Sequence, residues 1–182
     1  GMARRLATSA DARGRRKDTL VAALAIDNVS TAIFTAERWI ELARRDADAL
    51  TAERDSAERE ELLRVLGVED TSKLPPYARA DVKALEETQK RRATRSLRDG
   101  LDRILVDLLS LYRDILMFQL EAEVPLVNES LKPQLVSIAQ RSSAQQTLEK
   151  LNQIELARTR IAANVKDLIV LEALAVNLRT KP

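Results

Sequence analysis

The stretch that decides the fold of this chain is QKRRATRSLRDGLDRILVDLLSLYRDILMFQL, residues 89–120. Its basic first half passes into an apolar second half, and helical spacing holds throughout. In the second half, side chains suited to a core recur at steps of three and four, at Leu101, Ile104, Leu105, Leu108, Tyr112, Ile115 and Gln119. A stripe about 100° wide or more needs a surface to pack on. The sequence therefore predicts one long helix whose second half belongs to a core.

The first half of this helix carries five basic residues before its first acidic residue, Asp99. These residues, called the basic patch below, are Lys90, Arg91, Arg92, Arg95 and Arg98. They are candidates for contact with an acidic protein surface or with nucleic-acid phosphate. The competing interpretation is ion pairing with an acidic neighbouring helix, which is usual for charged helix faces. Nucleic-acid binding is the less favoured reading, because 30 basic and 28 acidic residues leave a net charge of only +2 and no aromatic residue interrupts the arginines.

Two ordered segments carry a family resemblance. Residues 86–116 contain Q-K-x-R-A-T-R-x-x-R-D, then L-D-x-x-L-V-D-L and L-Y-R-D-x-L, and the string IAANVKDLIVLEALAVNL spans Ile161 to Leu178. Both segments resemble the C-terminal domain of the delta-prime subunit of the bacterial DNA polymerase III clamp loader. Weaker similarity covers residues 4–66, and residues 67–79 are the least similar part.

The resemblance implies a non-catalytic collar domain that holds one subunit in a five-membered clamp loader during DNA replication. Its implied partners are the other clamp-loader subunits, in a hetero-oligomer. The family's N-terminal ATPase-fold module contains a Ser-Arg-Cys motif, and we expect it to be absent from a sequence with no Cys. Two alternatives stay open: the equivalent domain of another loader subunit, and a basic helical module that binds nucleic acid or regulates a partner.

Composition independently predicts an all-α fold. Hydrophobic residues make up 45% and charged residues 32%, whereas aromatic residues reach only 3%. With so few aromatic residues, the core must be built from Leu, Ile, Val and Ala packed between helices. We expect one helical domain over residues 1–182, a bundle or array of about five to seven helices with a long antiparallel helical hairpin. Gly1 before Met2 is interpreted as the remnant of a cleaved tag.

Missing residue types exclude most kinds of catalytic site. The chain has no His and no Cys, and its four Gly residues cannot form a phosphate-binding loop. Adjacent carboxylates such as Glu60 and Glu61 diverge on a helix, so they form no acid–base pair. We therefore expect no catalytic residue, cofactor, metal or small-molecule substrate. No apolar run is long enough to cross a membrane, and the absence of Cys suits a cytoplasmic protein.

The pattern along the chain predicts a definite order of helices. We expect two short helices at 3–12 and 15–26 separated near Gly14, then a long helix over 29–66 and the main loop at 67–78. The central helix follows and should end after Glu123. After it we expect a short helix with Pro133 in its first turn, a break at 141–143, and two closing helices that meet at Asn164. At Gly100 of the central helix either a neighbour packs closely or the position simply tolerates Gly, and tolerance is the favoured interpretation.

The long helix over 29–66 and the aromatic residues give further expectations. A 3.5-residue repeat marks a packing seam at Val29, Ile33, Ala36, Ile40, Ala43, Ala47 and Leu50. Phe34 and Tyr112 fit core stripes. Trp39 and Phe118 lie beside their stripes, which makes them candidate subunit-interface aromatics, with burial in the core as the favoured alternative.

Overall fold

The computed structural model describes residues 2–68 and 74–179, with side chains from residue 12 onward. The described part is all-α and contains six α-helices with no strand, which confirms the predicted fold class. The helices are α1 (Met2–Leu24), α2 (Val29–Val65), α3 (Pro76–Gln119), α4 (Lys132–Arg141), α5 (Ala144–Ala162) and α6 (Asp167–Leu178), with a short 3₁₀ turn at Glu129–Leu131 before α4.

The chain divides into two compact units. Unit 1 contains the residues up to Ile40 together with those from Leu101 onward, and unit 2 is Glu41–Gly100. The long helices α2 and α3 contribute residues to both units. The single domain expected from sequence remains a prediction.

Unit 1 has a large aliphatic core centred on the second half of α3. The predicted stripe is buried from Leu101 to Ile115, and Gln119 is half-buried. Other elements of the unit add fully buried side chains, namely Leu20 and Ile26 near the end of α1, Leu131 and Leu135 around the start of α4, Ile154 of α5, and Leu171 of α6. Each large aliphatic side chain buried in this way stabilises the fold by about 1.5–3 kcal/mol.

Unit 2 is an antiparallel hairpin made by the later part of α2 and the first part of α3. Near its closed end Tyr77 Oη donates to the carbonyl oxygen of Leu66 at 3.3 Å. Further along, Gln89 Nε2 donates to the Asp55 carbonyl oxygen at 2.9 Å. Its buried apolar residues are mostly small, at Ala43, Ala47, Ala78 and Val82. The hairpin therefore buries much less apolar volume than unit 1.

Several predicted helix boundaries are wrong. α1 continues through Gly14 as one helix, because an exposed Gly costs a helix only about 1 kcal/mol. α3 starts at Pro76, inside the predicted main loop, since Pro fits the first helical turn where no backbone donor is needed. Residues 69–73 of that loop lie outside the described residues. The predicted short helix with Pro133 and the break at 141–143 are confirmed by α4 and by a capping box at Ser143.

Three helix ends share the same backbone turn. α2, α3 and α5 each end with a residue at positive φ, and these are Gly67, Glu121 and Asn164. In each case that residue donates to the carbonyl oxygen three positions back, and the next residue donates five positions back. This is the Schellman motif, which satisfies carbonyl oxygens at a helix end. It confirms the predicted junction at Asn164, and it ends α3 at Gln119, four residues before the predicted end at Glu123.

The packing seam of α2 differs from the predicted one. Val29, Ile33 and Leu50 are exposed, whereas Ala36, Ala43 and Ala47 are buried as expected. The remaining buried positions of this helix are Ala32, Thr35, Trp39 and Thr51. Small residues fill the seam because they allow two helices to approach closely. Phe34 was expected in the core and is instead 65% exposed, while Tyr112 is buried as predicted.

Gly100 has a close neighbour, which is the less favoured of the two predicted alternatives. A Cβ placed on Gly100 would lie 3.2 Å from the Cβ of Ala43. That distance is shorter than ordinary van der Waals contact, so a side chain at position 100 would require Ala43 to move by a few tenths of an ångström. The two helices of unit 2 therefore approach each other closely at Gly100 and Ala43.

Candidate functional site

The basic patch is divided between an internal ion-pair network and a free face. Arg92 lies in the network, where its Nη1 donates to Asp55 Oδ1 and to Glu58 Oε2, the latter at 2.9 Å. Its Nη2 donates to Glu58 Oε1 at 3.0 Å, so the guanidinium and carboxylate of this pair meet through two parallel bonds. The predicted pairing of the patch with the acidic part of α2 therefore holds for Arg92.

The carboxylate of Glu58 receives two arginines. Arg54 Nε also donates to Glu58 Oε1, at 2.8 Å. The hydrogen bond from Arg92, followed by that from Arg54, lowers the pKa of Glu58 from its ordinary value to about 2. Arg59 and Glu86 add a longer ion pair at 3.5 Å across the same hairpin. Arg92, Asp55 and Glu58 are half-buried, whereas Arg54, Arg59 and Glu86 are exposed. Because water still screens these groups, each pair stabilises the hairpin only modestly.

The free face of the basic patch consists of Lys90, Arg91 and Arg95. All three are exposed, and none forms an ion pair within residues 2–68 and 74–179. Arg98 is half-buried. The patch therefore presents three uncompensated positive charges on about one and a half helical turns, fewer than the five that the sequence suggested.

The two candidate interface aromatics have different environments. Trp39 is only 1% exposed, so its role as an exposed anchor is wrong and the alternative of a core position is confirmed. It lies on the same stripe of α2 as Ala36 and Ala43, where the sequence pattern had placed Ile40. Phe118 is half-buried near the end of α3, and its interface role stays a prediction.

A buried polar cluster in unit 1 was not predicted. Asp114 is fully buried and accepts hydrogen bonds from the backbone nitrogens of Val127 and Asn128, at 3.0 and 2.8 Å. Its other donors are Asn128 Nδ2 at 3.0 Å and Arg113 Nη1 at 2.8 Å. The Asn128 side chain in turn accepts from Arg16 Nη2 at 2.8 Å. The cluster attaches α1 and the segment after α3 to the centre of the unit, so its role is structural.

A sequence signal for this cluster exists. Asp107, Ser110 and Asp114 follow one another at helical steps on the otherwise apolar half of α3. A polar stripe on a core helix requires partners, because a buried carboxylate without them is very costly.

Two exposed apolar groups also lie on unit 1. At the start of α2, Val29 and Ile33 are one turn apart and exposed, and Phe34 lies beside them. Around α6, Val165 and Ile169 are likewise one turn apart, with Ile169 57% exposed. α6 is apolar on nearly all sides, and a helix of that kind is usually covered on all sides.

The described residues contain no group of three or more carboxylates arranged to hold a metal ion. None of their helices combines the length and apolar character that crossing a membrane requires.

Comparison with known proteins adds no relationship. No protein-family model matches the chain, and no curated protein or solved structure matches it either. The resemblance to the delta-prime collar domain therefore remains a prediction from the quoted motifs.

Proposed function

We propose that this chain is a non-catalytic assembly domain, the collar domain of a clamp-loader delta-prime subunit. Its role is to hold the subunit in a hetero-oligomeric loader during DNA replication, in the cytoplasm. The motifs over residues 86–116 and Ile161–Leu178 support this proposal, because they occur in the order expected of that family.

The observation that carries the proposal is the incomplete covering of α6. This helix lies in the second resembling segment and is strongly apolar, yet Ile169 is 57% exposed within the chain. Leaving such a surface in water is unfavourable, and aliphatic patches of this kind commonly mark protein–protein contacts. A ring of unlike subunits uses two different faces on each member. The group at Val29, Ile33 and Phe34 is the candidate for the second face.

The test is size-exclusion chromatography with light scattering. The chain is measured alone and mixed with the C-terminal domains of the other loader subunits of its organism. We expect a mixed complex at tens of micromolar, and weak self-association of the chain alone. Separate elution of all components at that concentration would contradict the proposal.

Two matched variants locate the contact face. Ile169→Lys places a charge on the exposed side of α6, and Val65→Lys does the same at a 70% exposed position of unit 2. We expect Ile169→Lys to weaken the mixed complex at least about tenfold and Val65→Lys to leave it unchanged, since a charge buried at an interface loses its hydration. Equal behaviour of the two variants would remove α6 from the proposed interface.

The second candidate function is binding of nucleic acid. It is favoured by one observation, the uncompensated charge of Lys90, Arg91 and Arg95. Filter binding to single- and double-stranded DNA at rising salt tests it, because phosphate contacts make affinity fall with salt concentration. The triple change of these residues to Gln should abolish salt-sensitive binding. The control changes Lys17, Arg103 and Arg160, which are exposed residues of unit 1, to Gln; equal binding by both triple variants would count against this function.

A further inference from the structure

A cavity of about 570 Å³ lies within unit 1, among α3, α4, α5 and α6. Tyr112 forms its wall on α3, and Ile138 and Val176 add apolar surface from α4 and α6. The remaining lining is polar. A space of this size accommodates a short stretch of peptide or a small ligand.

The charge of the lining is strongly positive. Arg141, Lys150 and Arg179 line the cavity, against one carboxylate, Glu149. Among the described residues none of the three cations forms an ion pair, although unit 1 contains many carboxylates. The described lining therefore carries three positive charges against one negative charge.

Both arginines are held in place through their inner nitrogen. Arg141 Nε donates to the Ser137 carbonyl oxygen at 3.1 Å, and Arg179 Nε donates to the Val176 carbonyl oxygen at 3.0 Å. Their terminal amino groups donate to no acceptor among the residues that the structure describes. A guanidinium with its stem fixed loses less conformational freedom when it binds a carboxylate by two parallel bonds.

Lys150 adds a partly buried cation to the lining of the cavity. Its Nζ donates to the Leu178 carbonyl oxygen at 2.9 Å and lies 5.5 Å from the centre of the Tyr112 ring. Burial lowers the pKa of Lys150, because the charged amine loses part of its hydration. An incoming anion would compensate for that loss.

The other lining groups favour a peptide over a nucleotide. Gln146, Gln153 and Asn177 carry amide side chains, which can both donate to and accept from peptide groups. Among the described lining residues the one aromatic ring is that of Tyr112, which is buried and has Lys150 over one face, so it offers a base little surface for stacking.

We propose that this cavity is a docking site for an acidic peptide segment of a partner protein, recognised through carboxylates held by Arg141, Arg179 and Lys150. The inference stands apart from the proposed collar role. A failed subunit mixture and a failed peptide experiment are separate results, and neither decides the other.

The test uses an array of tetrapeptides built from Asp, Glu, Leu, Ser, Gln and Lys, in free-acid and amidated forms, probed with the full chain. We expect the bound peptides to contain at least two carboxylates. Loss of binding on amidation assigns one contact to the terminal carboxylate, and retained binding assigns the contacts to side chains. An array with no preference for acidic peptides overturns the proposal.

Variants then connect the binding to the cavity. By fluorescence polarisation with the tightest array peptide, the double variant Arg141→Gln with Arg179→Gln should raise Kd at least about tenfold, because two charge-assisted contacts are lost. The control, Arg103→Gln with Arg160→Gln, removes the same charge from exposed positions outside the lining and should change Kd less than about twofold. Equal effects of the two double variants overturn the proposal.

A variant that binds the peptide more tightly distinguishes charge recognition in the cavity from damage to the fold. Glu149→Gln removes the one carboxylate of the lining, which should repel an acidic peptide, so Kd should fall about two- to threefold. Damage to the fold would weaken binding instead. An unchanged or higher Kd for Glu149→Gln contradicts the proposed charge recognition.

Discussion

At the scale of single residues, Asp114 is the most constrained side chain of unit 1. It is fully buried and receives four donors, two of them backbone groups of the segment that follows α3. We expect Asp114→Asn to reduce the free energy of unfolding by about 3–5 kcal/mol, because the new amide would place its own donors against those of Asn128 and Arg113. Urea unfolding followed by circular dichroism measures this loss.

The control for that change is Glu129→Gln, at an exposed carboxylate of the same unit. Its effect should stay within about 0.5 kcal/mol. A loss below about 1 kcal/mol for Asp114→Asn would mean that the cluster tolerates a neutral acceptor. That result would contradict the structural role assigned to the Asp114 carboxylate.

Glu58 makes the stability of the hairpin depend on pH. Its pKa is about 2 in the folded chain and near 4.5 ordinarily, so its stabilising contribution is present above pH 4.5 and is lost as the pH falls toward 2. We expect Glu58→Gln to lower the unfolding midpoint at pH 6 and to match the parent chain near pH 2. The control Glu53→Gln, at an exposed residue of the same helix, should show no such pH-dependent difference. A difference that persists unchanged at pH 2 would contradict the role of the ionised Glu58.

At the scale of elements, the three Schellman ends differ in how well their residues suit positive φ. Gly67 has no Cβ, and Asn is the side chain that best tolerates this region, but Glu121 at φ 53° is poorly suited. Glu121→Gly should therefore raise the free energy of unfolding by about 0.5–1 kcal/mol. Gly67→Ala should lower it by about 1 kcal/mol, although nothing lies within 4 Å of the added Cβ. Two changes of the same sign in urea unfolding would contradict this account.

Helix ends and seams also show what the sequence could predict. The stripe on α3 was predicted correctly because large apolar residues mark buried positions clearly. On α2 the buried residues are mostly Ala and Thr, whose weak hydrophobicity does not distinguish buried from exposed positions. The prediction that Ile33 and Phe34 are buried is therefore wrong. The end at Asn164 was predictable from residue type, whereas the end near Glu121 was not.

The candidate sites depend on contacts between elements. The sequence predicted that an acidic stretch would meet the basic patch, and Arg92 does so. Which of the five cations would stay free depends on the helix register, which composition does not determine. The cavity could not be predicted, because Arg141, Lys150 and Arg179 come from three regions of the chain.

At the scale of the whole molecule, the two units should differ in local stability. Unit 2 buries mainly Ala and Val, whereas unit 1 buries many Leu and Ile side chains. Hydrogen exchange read by mass spectrometry should therefore show faster exchange over residues 52–64 of α2 than over residues 104–116 of α3, although both are continuous helix. Equal protection of the two segments would mean that unit 2 opens only when the whole chain unfolds.

The contact of Gly100 with Ala43 has an evolutionary consequence. With 3.2 Å between the Cβ of Ala43 and a Cβ built on Gly100, the two positions share one small volume. Any lineage that enlarges one residue must keep the other minimal or shift the helices apart. We expect related sequences to vary at these positions in a compensating way, with Ala at 100 accompanied by Gly at 43. The distance between the two helices of the hairpin would then stay the same while the sequences diverge.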